Sequence, residues 1–333
     1  MLIFDQLFRF TAFSSTFICT SFIGFWLILK NLPHDSILVT YLHPVFYLPR
    51  ELLFLPFTVL SLTVLKLNKK FSLLFIVLFN SLLFSQLNYR IKLFDFDQST
   101  DKNTIKVISL NRGGSGGQFD NDGLKRWILS LDGIDIIATQ ETKKTTALKF
   151  LPDGWNIECQ DRLCLLSPHP IKLQESWDRR FLRGRGTLAT KFELQIANEK
   201  VTVINVHLET IRKGIEDFLW FDFKSGFKYL KKNYENRTKE AALVRSITSM
   251  NANTIILGDF NTVVDTPLYQ HFWSEFNDAF IKSGHGTGYT KFTRWHGIGI
   301  DHILTFGRFN VKRFQVGPYL KGDHHPIFAE ISY

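Results

Sequence analysis

Up to about residue 90 the apolar positions run on without a polar face. From about residue 104 they come in short runs broken by polar loops. FTAFSSTFICTSFIGFWLIL, between Arg9 and Lys30, is an uncharged run long enough to cross a bilayer as a helix. FSLLFIVLFNSLLFSQLNY, between Lys70 and Arg90, is a second. LLFLPFTVLSLTVL (52–65) reaches that length only by extending back past Arg50 and Glu51. The pattern predicts three membrane helices, at about 10–29, 48–65 and 71–89, then a linker over 91–103. No small-x-small cleavage site follows the first run, so an anchor is expected rather than a removed leader.

Beyond residue 104 the runs IKVISLN, GIDIIATQE, RLCLLS, TLATKFEL, KVTVINVHLE, NTIILGDFN, GIDHILTF and PIFAEIS predict strands. NDGLKRWILSL (121–131) places Leu124, Trp127, Ile128 and Leu131 at helical spacing, and NRTKEAALVRSITSM (236–250) predicts another helix. Hairpin-like pairs occur beside strand–helix alternation, which implies an α/β layered domain with a mixed sheet over 104–333. GGSGG (113–117) lacks the Gly-Lys-Ser/Thr ending of a phosphate-binding loop and reads as a flexible loop.

The formal charge is +9. Residues 1–88 hold six Lys and Arg against three acids, so +3 lies there and +6 in the remainder. A basic catalytic part suits a polyanion or an anionic surface. The KLNKK loop (66–70) argues for a cytoplasmic side between the last two spans, which puts everything after residue 90 on the far side, in a bacterium the periplasm or exterior. Cys159 and Cys164 flank a QDRL turn; spacing leaves open whether they form a disulfide or stay as two buried thiols.

The polar groups fall at strand ends. These are Asn111, Glu141, His207, Asp259 with Asn261, Asp301 with His302, and Asp323 with His324 ahead of the last strand. Rigid strands deliver chemistry-bearing groups to accessible edges. Each group alone also fits a bland reading, as a turn former, cap or loop charge. Six such sites in one domain are harder to explain that way.

In sequence order, SLN, QET, INVHLE, GDFNT, GIDHIL and GDHHPI resemble the signature blocks of the endonuclease/exonuclease/phosphatase (DNase I-like) superfamily, over about 104–333. The resemblance implies a four-layer α/β sandwich with its site at one end. It also implies metal-assisted attack of water on a phosphate ester, with Mg2+ (Mn2+ or Ca2+ as alternatives) held by Glu141, Asn111 and Asp323. Asp259 is then expected to orient or deprotonate water and Asn261 to donate to a phosphate oxygen. Asp301 would hold His324, and His207 would donate to the phosphate or the leaving group. The first block lacks the Trp that often precedes the Asn, and Gly322 stands where Ser is common; both neighbour functional residues without replacing them. RRFLRGRG (179–186) and the basic, aromatic stretch 210–237 suggest substrate or membrane contact, with Arg183, Arg185, Arg212 and Lys213 as candidates. The expected activity is a membrane-anchored nuclease, acting on DNA or RNA outside the cytoplasm; the alternative is a phospholipid or sphingolipid phosphodiesterase or a phosphatase acting at the membrane surface, and the intact set of strand-end residues argues against a catalytically idle binding module on the same fold.

Overall fold

The computed structural model describes residues 24–49 and, with breaks at 114–118, 148–152, 249–252 and 294–295, residues 103–333; Arg90 and six isolated positions before residue 24 are also described. The chain divides into two compact units, Met1–Tyr89 and Arg90–Tyr333. In the first, residues 24–31 are helical, followed by a helix over Ile37–Leu42 and a 3-10 turn over His43–Tyr47. Trp26 meets Phe46 edge-on at 4.8 Å. The expected span at 71–89 and nearly all of that at 48–65 lie outside the described residues, and 10–29 is described in part. Among the described residues no helix is long and apolar enough to cross a membrane.

The second unit is built on two six-stranded mixed sheets. One contains β1 (Thr104–Asn111), β2 (Ile136–Gln140), β3 (Asn156–Gln160), β4 (Leu163–Ser167), β13 (Asn310–Val316) and β14 (Ile327–Ser332), in the order β13-β14-β1-β2-β4-β3. The other contains β5 (Ile171–Asp178), β6 (Thr187–Ile196), β7 (Glu199–His207), β8 (Thr254–Asp259), β9 (Asn277–Asp278) and β12 (Asp301–Phe306), in the order β5-β6-β7-β8-β12-β9. β10 (Lys291–Phe292) and β11 (Gly297–Ile298) form a small ribbon. The pairs β1–β2 and β7–β8 are parallel.

Alternation along the strands sorts side chains between layers. Ile105, Val107, Ile136 and Ala138 face Val203, Ile255, Leu257 and Ile303 in a core between the sheets. On the outer face of the first sheet, Ile108, Leu110 and Ile137 pack under Leu124 and Ile128 of the Asn121–Ser130 helix. On the outer face of the second, Ile204, Val206 and Ile256 pack under Ala241 and Val244 of the Phe223–Ile247 helix. The order is therefore helix, sheet, sheet, helix. Central strands are covered on both faces, which is why they read in sequence as unbroken apolar runs.

The structure departs from the sequence-based expectation at several elements. β5 and β13 were not anticipated: β5 is mostly exposed and polar, and β13 lacks a continuous apolar run. The second helix begins at Phe223 rather than near 236, because Asp222 caps it by accepting from Ser225 N. An eight-residue helix, Arg212–Leu219, precedes it. Most of the stretch read as a contact segment is thus a helical hairpin. Cys159 and Cys164 are paired across β3–β4 and joined as a disulfide.

Candidate active site

Register brings the polar residues together. β7 and β8 run parallel with His207 opposite Asp259, and β12 runs back beside β8 with Asp301 opposite Asp259. Residues directly opposite share a face, so His207, Asp259 and Asp301 form a row across one end of the second sheet. In the first sheet the parallel pair β1–β2 ends with Asn111 opposite Gln140, and Glu141 follows at once. The two sheet ends meet where Asn111 Nδ2 donates to Asp259 Oδ2 at 2.9 Å. Beneath that contact Gln140 Nε2 donates to Asn205 Oδ1 at 2.7 Å, and Asn205 Nδ2 donates to the Thr139 and Cys164 carbonyls, tying the sheets together.

Close approach is built into the strands. Gly258 has φ 141, and a Cβ there would lie 2.0 Å from the Val206 carbonyl oxygen. At Gly113 a Cβ would lie 2.3 Å from Glu141 Oε2, so this glycine leaves room for the Glu141 carboxylate. Glu141 itself is held at φ 54, a left-handed conformation that a non-glycine residue adopts at a cost. Its side chain is open to solvent while most of the site is buried.

His324 lies at the centre. Its Nδ1 is 2.9 Å from Asp301 Oδ2, which also accepts from Thr290 Oγ1 at 2.5 Å. Its Nε2 faces Asp259 Oδ2 at 3.7 Å and Lys291 Nζ at 2.9 Å. Burial disfavours charge on this imidazole, but Asp301 and Asp259 outweigh burial and hold its pKa up to about 9, with Lys291 opposing them. Burial and the neighbouring Asp301 charge push Asp259 up to about 6. Asp301, for which burial acts upward, is nonetheless held below the usual carboxylate range by His324 and Thr290. His207 is pushed down to about 4, chiefly by burial. It is therefore a neutral ring near pH 7, with Nε2 3.5 Å from Glu141 Oε1 and 3.8 Å from Asp259 Oδ2.

The Asp259–Asn261 loop is fixed from several sides. Asn261 N donates to Asp259 Oδ1, and Asn261 Nδ2 donates to the Leu208 carbonyl. Buried Arg237 donates to the Asn261 carbonyl and to Thr262 Oγ1. As it stands, the Asn261 amide braces the loop rather than pointing out of it. Phe260 packs inward, edge-on to Trp273 and His302.

Among the described residues Asp259, Asp301 and His324 offer three ligand atoms within 4.8 Å of one another. Within this group Asp301 is already engaged by His324 Nδ1 and Thr290, so the three residues form a hydrogen-bonded relay as they stand. Glu141 fits a cation better. It is an open carboxylate with space kept by Gly113, and carboxylate oxygens suit a hard divalent ion; an amide and a neutral imidazole lie beside it. Asn111 meets Glu141 through its nitrogen, 3.5 Å from Oε1, and its oxygen accepts from Gly113 N. Ligation by Asn111 therefore requires its amide to turn. Asp323 pairs with Lys291 at 3.1 Å, and its other oxygen is buried without a hydrogen-bond partner.

The rim differs from expectation. Arg183 and Arg185 are exposed. Arg212 is bound to Glu216 at 2.6 Å and Lys213 to Asp217 at 3.4 Å, each along its own helix. From the same arginine cluster the structure draws in Arg179, which sequence reasoning did not select. It pairs with buried Glu240 at 2.7 Å and donates to the His207 carbonyl. Glu240 also accepts from Glu209 N. Lys291, Thr290 and Arg237 were likewise missed. Lys291 and Thr290 lie in a polar stretch with no strand signal, and Arg237 lies mid-helix, where a basic residue is usually solvated.

Residues 109–324, more than half of the chain, match the model of the Endonuclease/Exonuclease/phosphatase family. No curated protein matches in sequence. Among solved structures, a family protein from Bacteroides thetaiotaomicron is 18% identical, with 68% of this chain and 94% of that one aligned and a TM-score of 0.51. D. rerio TDP2 complexed with a single-strand DNA product is 14% identical, covering 69% and 99%, with a TM-score of 0.50. A Bacteroides thetaiotaomicron mannosyl-6-phosphatase is 18% identical, covering 69% and 100%, also at 0.50. At these identities the structures speak to the fold, and the family model together with the row of strand-end residues speaks to the chemistry: the chain belongs to the Endonuclease/Exonuclease/phosphatase family and is a phosphoric ester hydrolase.

Proposed function

We propose that the protein is an Mg2+-dependent phosphodiesterase of the nuclease type, acting outside the cytoplasm from a membrane anchor. The observation that carries the chemistry is one continuous polar chain, Asp301–His324–Asp259–Asn111–Glu141, spanning the ends of both sheets. Glu141, with Asn111 after rotation of its amide, would hold the cation. Bound there, the cation supplies charge neutralisation at the phosphate. Asp259, ionised above about pH 6, orients and deprotonates the attacking water. His324, protonated below about pH 9 and fixed by Asp301, donates from Nε2 to a phosphoryl oxygen. Neutral His207 offers a hydrogen bond near the leaving group. Asn261 keeps the Asp259 loop in place through its bond to Leu208.

The net positive charge and the exposed Arg183 and Arg185 support a polyanionic substrate. The disulfide supports an oxidising compartment, and the long apolar N-terminal runs support the anchor. A second reading, a phospholipid or sphingolipid phosphodiesterase, is favoured by the pairing of Arg212 and Lys213 with their own acids, which leaves less of the rim for a polyanion. The test supplies the full chain and Mg2+ with plasmid DNA, RNA and phospholipid in parallel, with an EDTA control. Cleavage of nucleic acid that EDTA abolishes is expected. Cleavage of lipid alone overturns the nuclease reading, and no Mg2+-dependent cleavage of any of the three overturns both readings.

A further inference from the structure

The hairpin between β7 and β8 reaches past the catalytic end of the sandwich. Its long helix runs back along the second sheet, with Ile247 O near Lys191 and Arg237 bound to the loop after β8. Asn233, one turn earlier, donates to the Thr210 carbonyl just beyond β7. Phe223, at the start of the helix, is ten residues before Asn233 and fourteen before Arg237. At 1.5 Å per residue the tip stands about 15–21 Å beyond these catalytic loops. It is held firmly there. Gly214 packs so closely on Leu230 that a Cβ would lie 2.5 Å from Leu230 Cδ2, and Lys213 Nζ stacks over the Tyr229 ring at 4.2 Å.

What this arm presents is apolar and basic. Trp220 is 82% exposed, Phe221 80%, Phe223 51% and Phe227 48%. Phe223 and Phe227 share one flank of the helix, and Lys224, Lys228 and Lys231 form the adjacent stripe at i, i+4 and i+7. The hairpin's Glu216 and Asp217 pair with Arg212 and Lys213, and Asp222 is occupied as the helix cap. Lys224, Lys228, Lys231 and Lys232 are exposed and enter no salt bridge among the described residues. Single-stranded nucleic acid is gripped by a groove that tracks its backbone while bases stack on the walls. This tip is the short turn that joins two packed helices. A wedge of Trp and Phe with flanking lysines suits a fluid surface that parts around apolar rings and presents negative headgroups to the lysines.

We propose that the Trp220–Phe227 tip is an interfacial wedge that docks the catalytic end of the sandwich onto an anionic phospholipid surface. The proposal goes beyond the substrate assignment above and does not depend on it. It is tested on the full chain carrying Cys19→Ser, so that with Cys159 and Cys164 joined as a disulfide a single new cysteine takes an environment-sensitive fluorophore. Trp220→Cys reports the tip, with Phe221→Cys as a second site. Gln195→Cys, exposed at the end of β6 away from the active site, is the control. In phosphatidylcholine bilayers that also contain phosphatidylserine, both tip labels are expected to shift to the blue and to be quenched by doxyl lipids, while the control does neither. Lys224→Glu with Lys228→Glu and Lys231→Glu is expected to lower the docked-to-free ratio by roughly 100-fold. Tip labels that ignore phosphatidylserine, or that respond instead to a single-stranded oligonucleotide without lipid, overturn the proposal. Glu141→Ala in the labelled chain separates the two readings, since it removes hydrolysis and leaves the emission shift in place.

Discussion

Asp301 and His302 are neighbours on β12, and each belongs to a buried histidine–aspartate pair, on opposite faces of the sheet. On the cleft side Asp301 holds His324 Nδ1 at 2.9 Å. On the packing side Asp278 holds His302 Nδ1, also at 2.9 Å. Both imidazoles are raised in pKa against burial by their carboxylate partners. The second nitrogen separates them. His302 Nε2 donates to the Thr262 carbonyl at 2.8 Å, so the ring has no hydrogen-bonding capacity left, and Phe260 and Tyr269 enclose it. His324 Nε2 points instead to the side chains of Asp259 and Lys291 on the cleft side. The same dyad is thus a fastener on one face and, in the mechanism proposed above, a proton donor on the other. Burial and pairing are common to both histidines; the partners of the remaining nitrogen distinguish them.

Substitution separates the two roles. His324→Ala is expected to lower kcat by about 10²–10⁴-fold, with folding judged by circular dichroism retained. Glu141→Ala should remove Mg2+-dependent turnover in the same assay. Full activity in either folded variant would sink the assignment. His302→Ala leaves Asp278 buried without its cation and should cost about 3–5 kcal/mol of stability in denaturant melts, while activity per folded molecule changes far less. If His302→Ala were as inactive as His324→Ala yet equally stable, the comparison would be wrong.

The sequence showed the cleft side well and the fastener poorly. Asn111, Glu141, His207, Asp259, Asp301 and His324 each sit at one end of an apolar run, so period and position marked them, and the sheet registers gather most of them. That His302 faces away from Asp301 also follows from strand alternation. Its partner was not legible. Asp278 lies in a two-residue strand with no periodic signal and reaches His302 only through tertiary pairing of β9 with β12. Lys291 was hidden for the same reason: its strand is also two residues long, and it meets His324 through an isolated bridge. Arg212 and Lys213 were chosen by composition, and composition does not show that helical spacing would give each its own acid four residues on.

The pH profile sharpens the comparison further. With Asp259 required ionised and His324 protonated, kcat/KM should rise through about pH 6 and fall through about pH 9. Lys291 opposes the charge on His324, so Lys291→Ala should move the alkaline limb upward. A limb that stays in place would assign the alkaline loss to another group. For stability the signs are separate. His324 titrates higher folded than unfolded, so its contribution is full below about pH 6.5 and is lost as pH rises through about 9. His207 titrates lower folded, so its contribution is present above about pH 6.5 and is lost as pH falls through about 4.

The smallest expected effects come from a matched pair of hydroxyls. Thr290 donates to Asp301 and Tyr269 donates to Asp278, each at 2.5 Å, so each dyad carboxylate has one hydroxyl donor of its own. Thr290→Val and Tyr269→Phe each remove a hydrogen bond to a charged acceptor, a loss of about 1.5–3 kcal/mol, and Thr290→Val also strands the Ile300 and Asp301 N–H groups that donate to Thr290 Oγ1. On the fastener side the whole loss should appear as a lower melting midpoint with kcat unchanged. On the cleft side Asp301 stays ionised and, without the competing Thr290 donor, becomes the stronger acceptor, so its hold on the His324 imidazolium tightens and the alkaline limb should move up as well. A larger stability loss in Thr290→Val, with a limb shift in that variant alone, would show that the two pairs differ in what the second nitrogen faces. A limb shift in Tyr269→Phe would mean that the two faces of β12 are coupled through the Asp301–His302 backbone.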